Sequence, residues 1–579
     1  MCHTCTVEPK EAAGPIDEVS ALIDAYRPDS RRLRELVCLL TEGPADLATL
    51  VRRSALPRRT VEEVLAAAGG DLARDGEAVA VASAQVASYR RRFGYESLRA
   101  TRLADPLAPL MADAAEVLRV MRQVIAEAPA ARSCLDHVQA TPETAVRRAL
   151  WLNSTYDLNG ATLLCLGDHD LTSLAVGQVA PGARIVVADV DERTLEYIDQ
   201  WAARLRLDVR GFVSDFRFWL AESATKCADL VFTDPPYTPE GLTLFLARAL
   251  QGLANQEHGR VVVAYGYSDR QPTLGLQGQS AAHRLGLAAE EQLRAFNRYD
   301  GAQAVGSASD LYAWRPTSRS WRQVDGVLAD IPTNLYTRGG QSLEGTALAG
   351  QQDGQGWSAV PSAVLGESAA DGFPLRVAIA DGWTGQQASA DQALARVRLA
   401  TLFATGIPAA VQRRRPFSVA ADLHADPGAW LLRVLLAVNA DRVAAVVPSG
   451  HRDVRDEAGQ RCLAALAGAK YSLRFLRGQP DAGHTTVVAT ALGDDPPSQA
   501  GRAASWLLHR AHGKVGNVWR DGLLAAAREN GGHPLTKREA RVIVDARSRR
   551  PDLLSARLID LPRHQIAGLL EDSASTFAP

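Results

Sequence analysis

Three apolar stretches of this chain each run into carboxylates, and these side chains are the ones best suited to chemistry. The stretches lead into Gly167-Asp168-His169-Asp170, into Asp189-Val190-Asp191 and into Asp234-Pro235-Pro236-Tyr237. In an open parallel α/β sheet, ligands bind in the crevice outside the carboxyl ends of the strands. The sequence therefore predicts one site to which all three segments contribute.

The first of these loops does not suit a phosphate. A nucleotide-binding loop usually offers several glycines, so that the backbone can approach the phosphates. Here Gly167 is followed by Asp168, His169 and Asp170, and two carboxylates repel a pyrophosphate but attract a sulfonium or an ammonium. We therefore expect a cationic donor, a cationic acceptor, or both. The alternative is an Asx-type turn that caps the next helix, although a cap needs only one carboxylate.

The second and third strand ends are candidates for binding the donor. Asp189 follows Gly167 by 22 residues, a distance at which an acidic residue commonly binds the ribose hydroxyls. Asp191 lies beside it, and either carboxylate could instead favour the N-terminus of the next helix. Asp215 ends the third predicted strand, where it is either a partner for an adenine amino group or a surface residue.

The motif Asp234-Pro235-Pro236-Tyr237 narrows the chemistry further. The prolines remove backbone donors and stiffen the turn, so that carbonyls and the Asp234 oxygens can accept bonds from an amine and orient its lone pair. Tyr237 can cover the amine or make a cation–π contact with it. A chance surface turn is the alternative. The motif is typical of enzymes that transfer a group from an S-adenosyl donor to nitrogen.

Length and composition restrict the class of protein. A chain of 579 residues is too long for one core and indicates about three or four domains. No apolar run approaches the roughly 20 residues that span a bilayer, and the N-terminus lacks a signal pattern, so we expect a cytoplasmic protein with no membrane partner. A net charge of −2 argues against a nucleic-acid partner. The lone pair Cys2 and Cys5 offers too few ligands for a metal, and no metal site is predicted.

Residues 1–100 are predicted to form a winged-helix-like domain. An extended run follows three segments with helical periodicity, at 31–42, 46–54 and 59–68. One interpretation is DNA binding through Arg58 and Arg59 at the start of the third helix. The other is an accessory domain that dimerises or covers an active site, and nearby acidic residues favour it because phosphate contacts need net positive charge.

The rest of the chain is predicted to be α/β with a helical end. Residues 101–330 alternate strands and helices, which is the pattern of a Rossmann-like, methyltransferase-type doubly wound sheet. The predicted strands of this sheet lie at 162–166, 184–189, 209–214, 229–233 and 260–265. Residues 331–373 are predicted as a linker or long loop. A second, degenerate α/β domain at 374–495 lacks an Asp-Pro-Pro-Tyr equivalent and is expected to be inactive, and residues 496–579 are expected to be helical.

These residues resemble the branched-chain polyamine synthases, or N4-bis(aminopropyl)spermidine synthases, over about residues 30–316. The resemblance depends on several motifs together: the run Asp136–Thr144 with Arg147-Arg148, Gly167–Ser173, Asp189–Arg193, Thr233–Pro236 and Phe296–Tyr299. It implies transfer of an aminopropyl group from decarboxylated S-adenosylmethionine to a polyamine nitrogen, with release of methylthioadenosine. It also implies that Asp136 and Gln139, with Pro235, Pro236 and Tyr237, contact the acceptor.

The resemblance has one clear departure. In the family the first loop reads Gly-Asp-Asp-Asp and supplies acidic groups to the reacting amine, whereas this chain has His169 at the middle position. The change removes one negative charge and substitutes a group that titrates near neutrality. The acceptor therefore stays open, and so does the donor, because S-adenosylmethionine itself would use the same sulfonium chemistry.

We hypothesise a direct displacement. Asp168, Asp170 and Asp234 would attract and desolvate the amine, and one of them or His169 would take its proton. Most of the rate would then come from positioning and electrostatics. We expect a homodimer that binds a small cationic amine. Two alternatives remain: an S-adenosylmethionine-dependent amino-methyltransferase acting on nucleic acid, and a non-catalytic winged-helix regulator that senses a polyamine or an adenosyl metabolite.

Overall fold

The computed structural model describes residues 14–330, 335, 373–380, 394–493, 499–529 and 535–576. Most of the segment predicted as a linker, 331–373, lies outside these residues, as do Cys2 and Cys5. Within the described ranges, no helix is long and apolar enough to cross a membrane.

The N-terminal unit is a small helical bundle with one hairpin. Its elements are α1 (Pro15–Ala25), α2 (Ser30–Leu40), α3 (Leu47–Ser54), α4 (Arg58–Ala68), β1 (Leu72–Asp75), β2 (Ala78–Val81), α5 (Val86–Arg92) and α6 (Tyr95–Ala100). Helix α3 begins where the sequence predicts it, because the Asp46 side chain accepts a hydrogen bond from the Thr49 amide at 2.7 Å. Apolar faces of α1 to α4 meet in a separate core that includes Leu33, Leu50 and Val61.

Three helices connect this unit to the first sheet: α7 (Ala108–Asp113), α8 (Ala115–Ala126) and α9 (Pro142–Thr155). The helical segment is interrupted at Ala114, between α7 and α8. Helix α9 has a side-chain cap: the Thr141 side chain accepts from the Thr144 amide at 3.2 Å, and Pro142 is the first helical residue.

The first sheet has seven strands in the order β5-β4-β3-β6-β7-β9-β8. The strands are β3 (Thr162–Leu166), β4 (Arg184–Asp189), β5 (Val209–Val213), β6 (Leu230–Thr233), β7 (Arg260–Tyr265), β8 (Leu287–Arg298) and β9 (Ala308–Pro316). The first five are parallel, and β9 and β8 add antiparallel at the β7 edge. The helices are α10 (Thr172–Val179), α11 (Glu192–Leu205), α12 (Pro239–Gly252), α13 (Pro272–Arg284) and α14 (Ser318–Asp330). The five predicted strands are confirmed; β8 and β9 were not predicted.

A second sheet follows, in the order β11-β10-β12-β13-β15-β14. Its strands are β10 (Leu375–Ala380), β11 (Ala395–Arg398), β12 (Ser418–Asp422), β13 (Arg442–Pro448), β14 (Tyr471–Arg477) and β15 (His484–Ala491). Its helices are α15 (Leu399–Thr405), α16 (Ala409–Gln412), α17 (Trp430–Ala437) and α18 (Glu457–Ala467). The order of strands, and which pairs are parallel, match the first sheet with its edge strand β5 removed.

The C-terminal part is helical, as predicted, with α19 (Gln499–His509), α20 (Val515–Glu529), α21 (Lys537–Arg547) and α22 (Arg563–Ser575). One continuous hydrophobic cluster includes core residues of both sheets and of these helices. At the contact between the sheets, Phe218 packs edge-on against Trp430 with ring centroids 5.1 Å apart. Trp219 packs against Phe403 at 4.5 Å.

Candidate active site

A cavity of about 580 Å³ opens at the carboxyl ends of β3, β4, β5 and β6. That volume lies in the usual range for small-molecule sites. All but one of the residues predicted for the site line this cavity: Asp136, Gln139, Gly167, Asp168, His169, Asp170, Asp189, Asp215, Asp234, Pro235, Pro236 and Tyr237. The exception is Asp191. The loops after neighbouring parallel strands meet here because their carboxyl ends lie at one edge of the sheet.

Arg148, which projects from α9, joins two of the strand ends. Its side chain is fully buried and donates to Asp170 Oδ2 at 2.8 Å and to Asp234 Oδ2 at 2.6 Å. The same guanidinium donates to Asn297 Oδ1 at 2.7 Å and to the Tyr299 hydroxyl at 3.0 Å. A planar guanidinium can satisfy several acceptors at once in this way. Arg148 thus fixes the relative positions of the Asp170 and Asp234 carboxylates.

Two tyrosines extend this network along the Asp234 side of the cavity. The Tyr299 hydroxyl donates to Asp234 Oδ2 at 2.7 Å, and the Tyr237 hydroxyl donates to that of Tyr299 at 2.9 Å. Ser309 Oγ lies 2.8 Å from the Tyr299 hydroxyl. Tyr237 therefore has its hydroxyl engaged within the protein, and its ring is the part that can face a ligand.

The two carboxylates that share Arg148 titrate differently. Burial alone raises the pKa of Asp170, but the charge of Arg148 outweighs it and holds that pKa below its usual value. Burial raises the pKa of Asp234, and the neighbouring Asp170 adds to the rise while Arg148 opposes it. One guanidinium cannot neutralise two buried carboxylates, so the second of them binds a proton more readily. Asp234 is accordingly the stronger base of the pair.

Asp168 and Asp189 form the other acidic pair. Asp189 Oδ2 accepts from the Asp168 amide at 2.9 Å, and its Oδ1 accepts from the Asp191 amide at 2.8 Å. Burial raises the pKa of Asp189 to about 6 and that of Asp168 to about 8. Burial thus makes the Asp168 carboxyl bind a proton more readily than an exposed aspartate does, while the Asp170 carboxylate is paired with Arg148.

Asp191 and Asp215 already have internal partners. Asp191 caps α11, binds the Arg193 side chain at 2.6 Å and lies outside the cavity lining. Asp215 lines the cavity, but Arg217 donates to both of its oxygens, at 2.9 and 2.6 Å, and Trp430 donates to Oδ2 at 3.0 Å. With the Arg217 amide as a fourth donor at 3.2 Å, the roughly four lone-pair positions of the carboxylate are filled. Both oxygens of Asp215 are thus engaged within the protein, and its role as an adenine partner stays a prediction.

His169 stacks on His137 at the cavity wall. The ring centroids are 4.4 Å apart and the planes differ by 19°. Burial lowers the pKa of His137 to about 3, with His169 contributing, and burial also lowers the pKa of His169. His137 Nδ1 and His169 Nε2 are buried without a hydrogen-bond partner. The stack therefore places two neutral rings in the wall of the cavity.

The remaining predicted residues lie at the mouth of the cavity. Asp136 adopts a left-handed backbone conformation, with φ of 55°. The Gln139 carbonyl accepts from the Asp300 amide at 2.9 Å, and the Asp300 carboxylate pairs with Arg52 of α3. The N-terminal unit thus contacts the rim of the cavity through α3.

Four residues of the network were not assigned a role from the sequence: His137, Arg148, Asn297 and Tyr299. All four occur in the motif runs that carry the family resemblance, and only this membership could have indicated from the sequence that they belong to the site. The contacts of Arg148, Asn297 and Tyr299 form where α9 and the end of β8 pack against the strand ends, and His137 contacts the site through its stack on His169.

Comparisons with known proteins match the part of the chain that carries this cavity. Residues 116–322 match the family model described as the branched-chain polyamine synthase A C-terminal domain. An uncharacterized protein of Methanocaldococcus jannaschii is 31% identical over 195 residues, which cover 34% of this chain and 49% of the relative. The N(4)-bis(aminopropyl)spermidine synthase of Thermococcus kodakarensis is 28% identical over 204 residues, covering 34% of this chain and 56% of the relative. The chain thus spans about half the length of these relatives.

A solved structure also aligns with the chain. It is the branched-chain polyamine synthase of Thermus thermophilus in complex with N4-aminopropylspermidine and 5'-methylthioadenosine, with 20% identity and a TM-score of 0.37, covering 52% of this chain and 92% of that one. The family match confirms, for residues 116–322, the relationship to the branched-chain polyamine synthases that the motifs predicted.

Proposed function

We propose that the first α/β unit is an alkyltransferase. It moves an aminopropyl or related group from decarboxylated S-adenosylmethionine, or from S-adenosylmethionine, to an amine nitrogen of a polyamine-like acceptor. The observation that carries the proposal is the single cavity in which Asp189, the loop 167–170 and the turn 234–237 meet. The matched family model covers this part of the chain, and matched relatives are named N(4)-bis(aminopropyl)spermidine synthase.

The donor is assigned to the end of the cavity formed by β3, β4 and β5, which includes the wall 214–217. Asp189 keeps acceptor capacity beyond its two amide bonds, so it can bind the ribose hydroxyls. Gly167 lines the cavity with φ of +67° and has no side chain, so a ligand can approach its backbone. A sulfonium beside Asp168 lowers the pKa of that carboxyl, so that donor binding releases its proton.

The acceptor is assigned to the end formed by Asp234, Pro235, Pro236 and Tyr237, with Asp136 and Gln139 at the mouth. The amine nitrogen forms a bond to the carbon beside the sulfonium, the C–S bond breaks, and the thioether leaves with the electron pair. With the decarboxylated donor the leaving group is methylthioadenosine. Asp234, whose pKa is raised by burial, takes the proton from nitrogen, since a base works best with a pKa near the working pH.

We assign the N-terminal unit a winged-helix-like fold and an accessory role. Arg58 at the start of α4 donates to Glu62 at 2.8 Å and to Gln303 of the transferase unit at 2.9 Å. The Ala55 carbonyl lies so close to Gly306 that a Cβ there would approach it to 2.6 Å. Arg58 and Ala55 thus contact the transferase unit, which supports the accessory role. The expected homodimer and cytoplasmic location stay predictions.

Product analysis tests the proposed function. The purified chain would be incubated with each adenosyl donor and a panel of diamines, triamines and tetraamines, with Asp234→Asn as the inactive control. We expect mass spectrometry to find an amine heavier by one aminopropyl group, together with methylthioadenosine. Methylated nucleic acid would instead support the amino-methyltransferase alternative. Ligand binding without turnover, together with operator binding, would support the regulator.

A further inference from the structure

The second α/β unit repeats the topology of the first, and this relates positions in the two units. Strand β12 occupies the place that β6 has in the first sheet. The segment 422–429 after β12 therefore corresponds to the Asp234-Pro-Pro-Tyr237 turn. In the first unit that turn opens onto the cavity, and in the second the equivalent segment makes contacts within the protein.

Asp426 in this segment binds backbone amides of the protein. Its carboxylate accepts from the amides of Gly428, Ala429 and Trp430 at 2.7 to 2.9 Å, and from the Leu431 amide at 2.8 Å. Asp426 thereby holds the start of α17, and His451 lies 3.1 Å from the same carboxylate. Four amide donors occupy the acceptor capacity of the carboxylate, so it is a structural anchor for α17.

Helix α17 begins at Trp430, whose side chain crosses to the first unit. The fully buried indole donates to Asp215 Oδ2 at 3.0 Å. The Arg217 guanidinium, which holds the same carboxylate, lies over the Trp430 ring at 5.1 Å. Ser214, Asp215, Phe216 and Arg217 all line the cavity. The Trp430 indole therefore connects the cavity wall after β5 to the second unit.

A buried charge cluster holds the two units together at the same place. Glu192, at the start of α11, pairs with Arg433 of α17 at 2.5 Å and with Arg563 of α22 at 2.5 Å. Arg563 also pairs with Asp453 of the second unit. Removing one partner of a buried pair leaves an uncompensated charge, so these pairs oppose separation of the units. The start of α17, which carries Trp430, is therefore held by the Asp426 carboxylate and by the ion pair between Arg433 and Glu192.

We propose that the second α/β unit is a degenerate copy of the transferase fold that positions the donor end of the cavity, acting through Trp430 on Asp215 and the wall 214–217. Trp430 is a positioning residue, since it touches no reacting atom. The inference rests on the proposed function, because it assigns this wall to the adenosyl donor. In this proposal the second α/β unit shapes the donor end of the cavity in the first unit.

The test compares two Trp→Phe variants of the full chain. Trp430→Phe removes the N–H donor to Asp215 and keeps an aromatic ring. Trp519→Phe is the matched control, because that buried indole donates to Thr576 at 3.1 Å, in the C-terminal helices. Calorimetry would measure methylthioadenosine as the donor-side probe and spermidine as the acceptor-side probe. We expect Trp430→Phe to weaken methylthioadenosine binding about ten-fold, the size of one hydrogen bond to a charged group, without changing spermidine binding.

The outcomes separate the two proposals. If the wild-type chain binds no adenosyl compound, the proposed function and this inference are both wrong. If the wild type binds methylthioadenosine and the two variants bind it equally well, the positioning role is wrong and the proposed function stands. If Trp430→Phe fails to fold, Asp215→Ala carries the test, with the same selective loss of methylthioadenosine binding expected. Loss of both probes, or of neither, in Asp215→Ala would overturn the inference.

Discussion

The imidazole of His169 stacks on that of His137, with ring centroids 4.4 Å apart and planes 19° from parallel. Both rings have lowered pKa values because they are buried, so both are neutral at neutral pH. A neutral pair attracts an ammonium less than a carboxylate does. The wall of the cavity that holds His169 therefore favours acceptors of lower charge than an acidic residue at that position would.

We predict that position 169 sets the charge preference for the acceptor. His169→Asp should raise the ratio of kcat/KM for a triamine over a diamine about ten-fold, because one more carboxylate attracts the additional ammonium. His169→Asn also loses the stacked ring but adds no charge, and it should leave the ratio near the wild-type value. Steady-state kinetics with both amines checks this. Equal ratios in the two variants would mean that the stack, and not charge, matters at this position.

The Tyr299 hydroxyl is predicted to set the pH at which Asp234 becomes a base. It donates to Asp234 Oδ2 at 2.7 Å, and a donor to the ionised carboxylate lowers its pKa. Tyr299→Phe therefore raises the pKa of Asp234, and the acidic limb of the kcat/KM profile should move to higher pH by about one unit. Tyr237→Phe is the control: its hydroxyl donates to Tyr299 and not directly to Asp234, so the limb should move less in this variant. A limb that stays in place in Tyr299→Phe would exclude Asp234 as the base.

Arg148 is predicted to dominate the stability of the site. Its guanidinium is fully buried between Asp170 and Asp234, so Arg148→Met should lower the free energy of unfolding by about 3–5 kcal/mol near neutral pH. The adjacent Arg147 pairs with the exposed Asp105, and Arg147→Met should cost less than about 1 kcal/mol. Denaturant titration of both variants measures the difference.

The pH dependence of the Arg148→Met deficit has a definite sign. In the wild type Arg148 holds the pKa of Asp170 low. This ion pair stabilises the fold at pH values above the pKa of an aspartate in the unfolded chain, and the stabilisation is lost as the pH falls. Without Arg148 the buried carboxylates retain protons to higher pH, so the variant gains stability as the pH falls. The deficit should narrow between about pH 8 and about pH 5. A deficit that does not change with pH would mean that packing, and not charge, is lost.

The positions of the strands and of the cavity could be predicted from the sequence because they depend on local patterns. Strand β3 is a run of buried residues that ends next to Gly167. Strand β4 ends at Asp189, and β6 ends next to Asp234. Parallel strands bring such ends to one edge whatever the details of packing. Twelve of the thirteen residues proposed for the site accordingly line one cavity.

The network that controls the charges could not be predicted in the same way. Arg147 and Arg148 are adjacent in α9, and a helical period does not tell which of the two enters the core. Asn297 and Tyr299 lie at the end of β8, where two register shifts and a largely exposed face hide the strand pattern. Asp215 and Trp430 are 215 residues apart, and no local pattern links them.

The proton of the Asp168 carboxyl is predicted to couple the stability of the fold to ligand binding. Burial raises its pKa to about 8, so between about pH 4 and pH 8 the folded chain binds a proton that the unfolded chain does not, and stability falls as pH rises. Asp168→Asn does not lose stability in this way, so its stability relative to the wild type should increase as the pH rises from about 4 to about 8. Calorimetry with S-adenosylmethionine, in buffers of different ionisation enthalpy near pH 7, should detect proton release from the wild type and a smaller release from Asp168→Asn. Equal proton release from both proteins would place the displaced proton on another group.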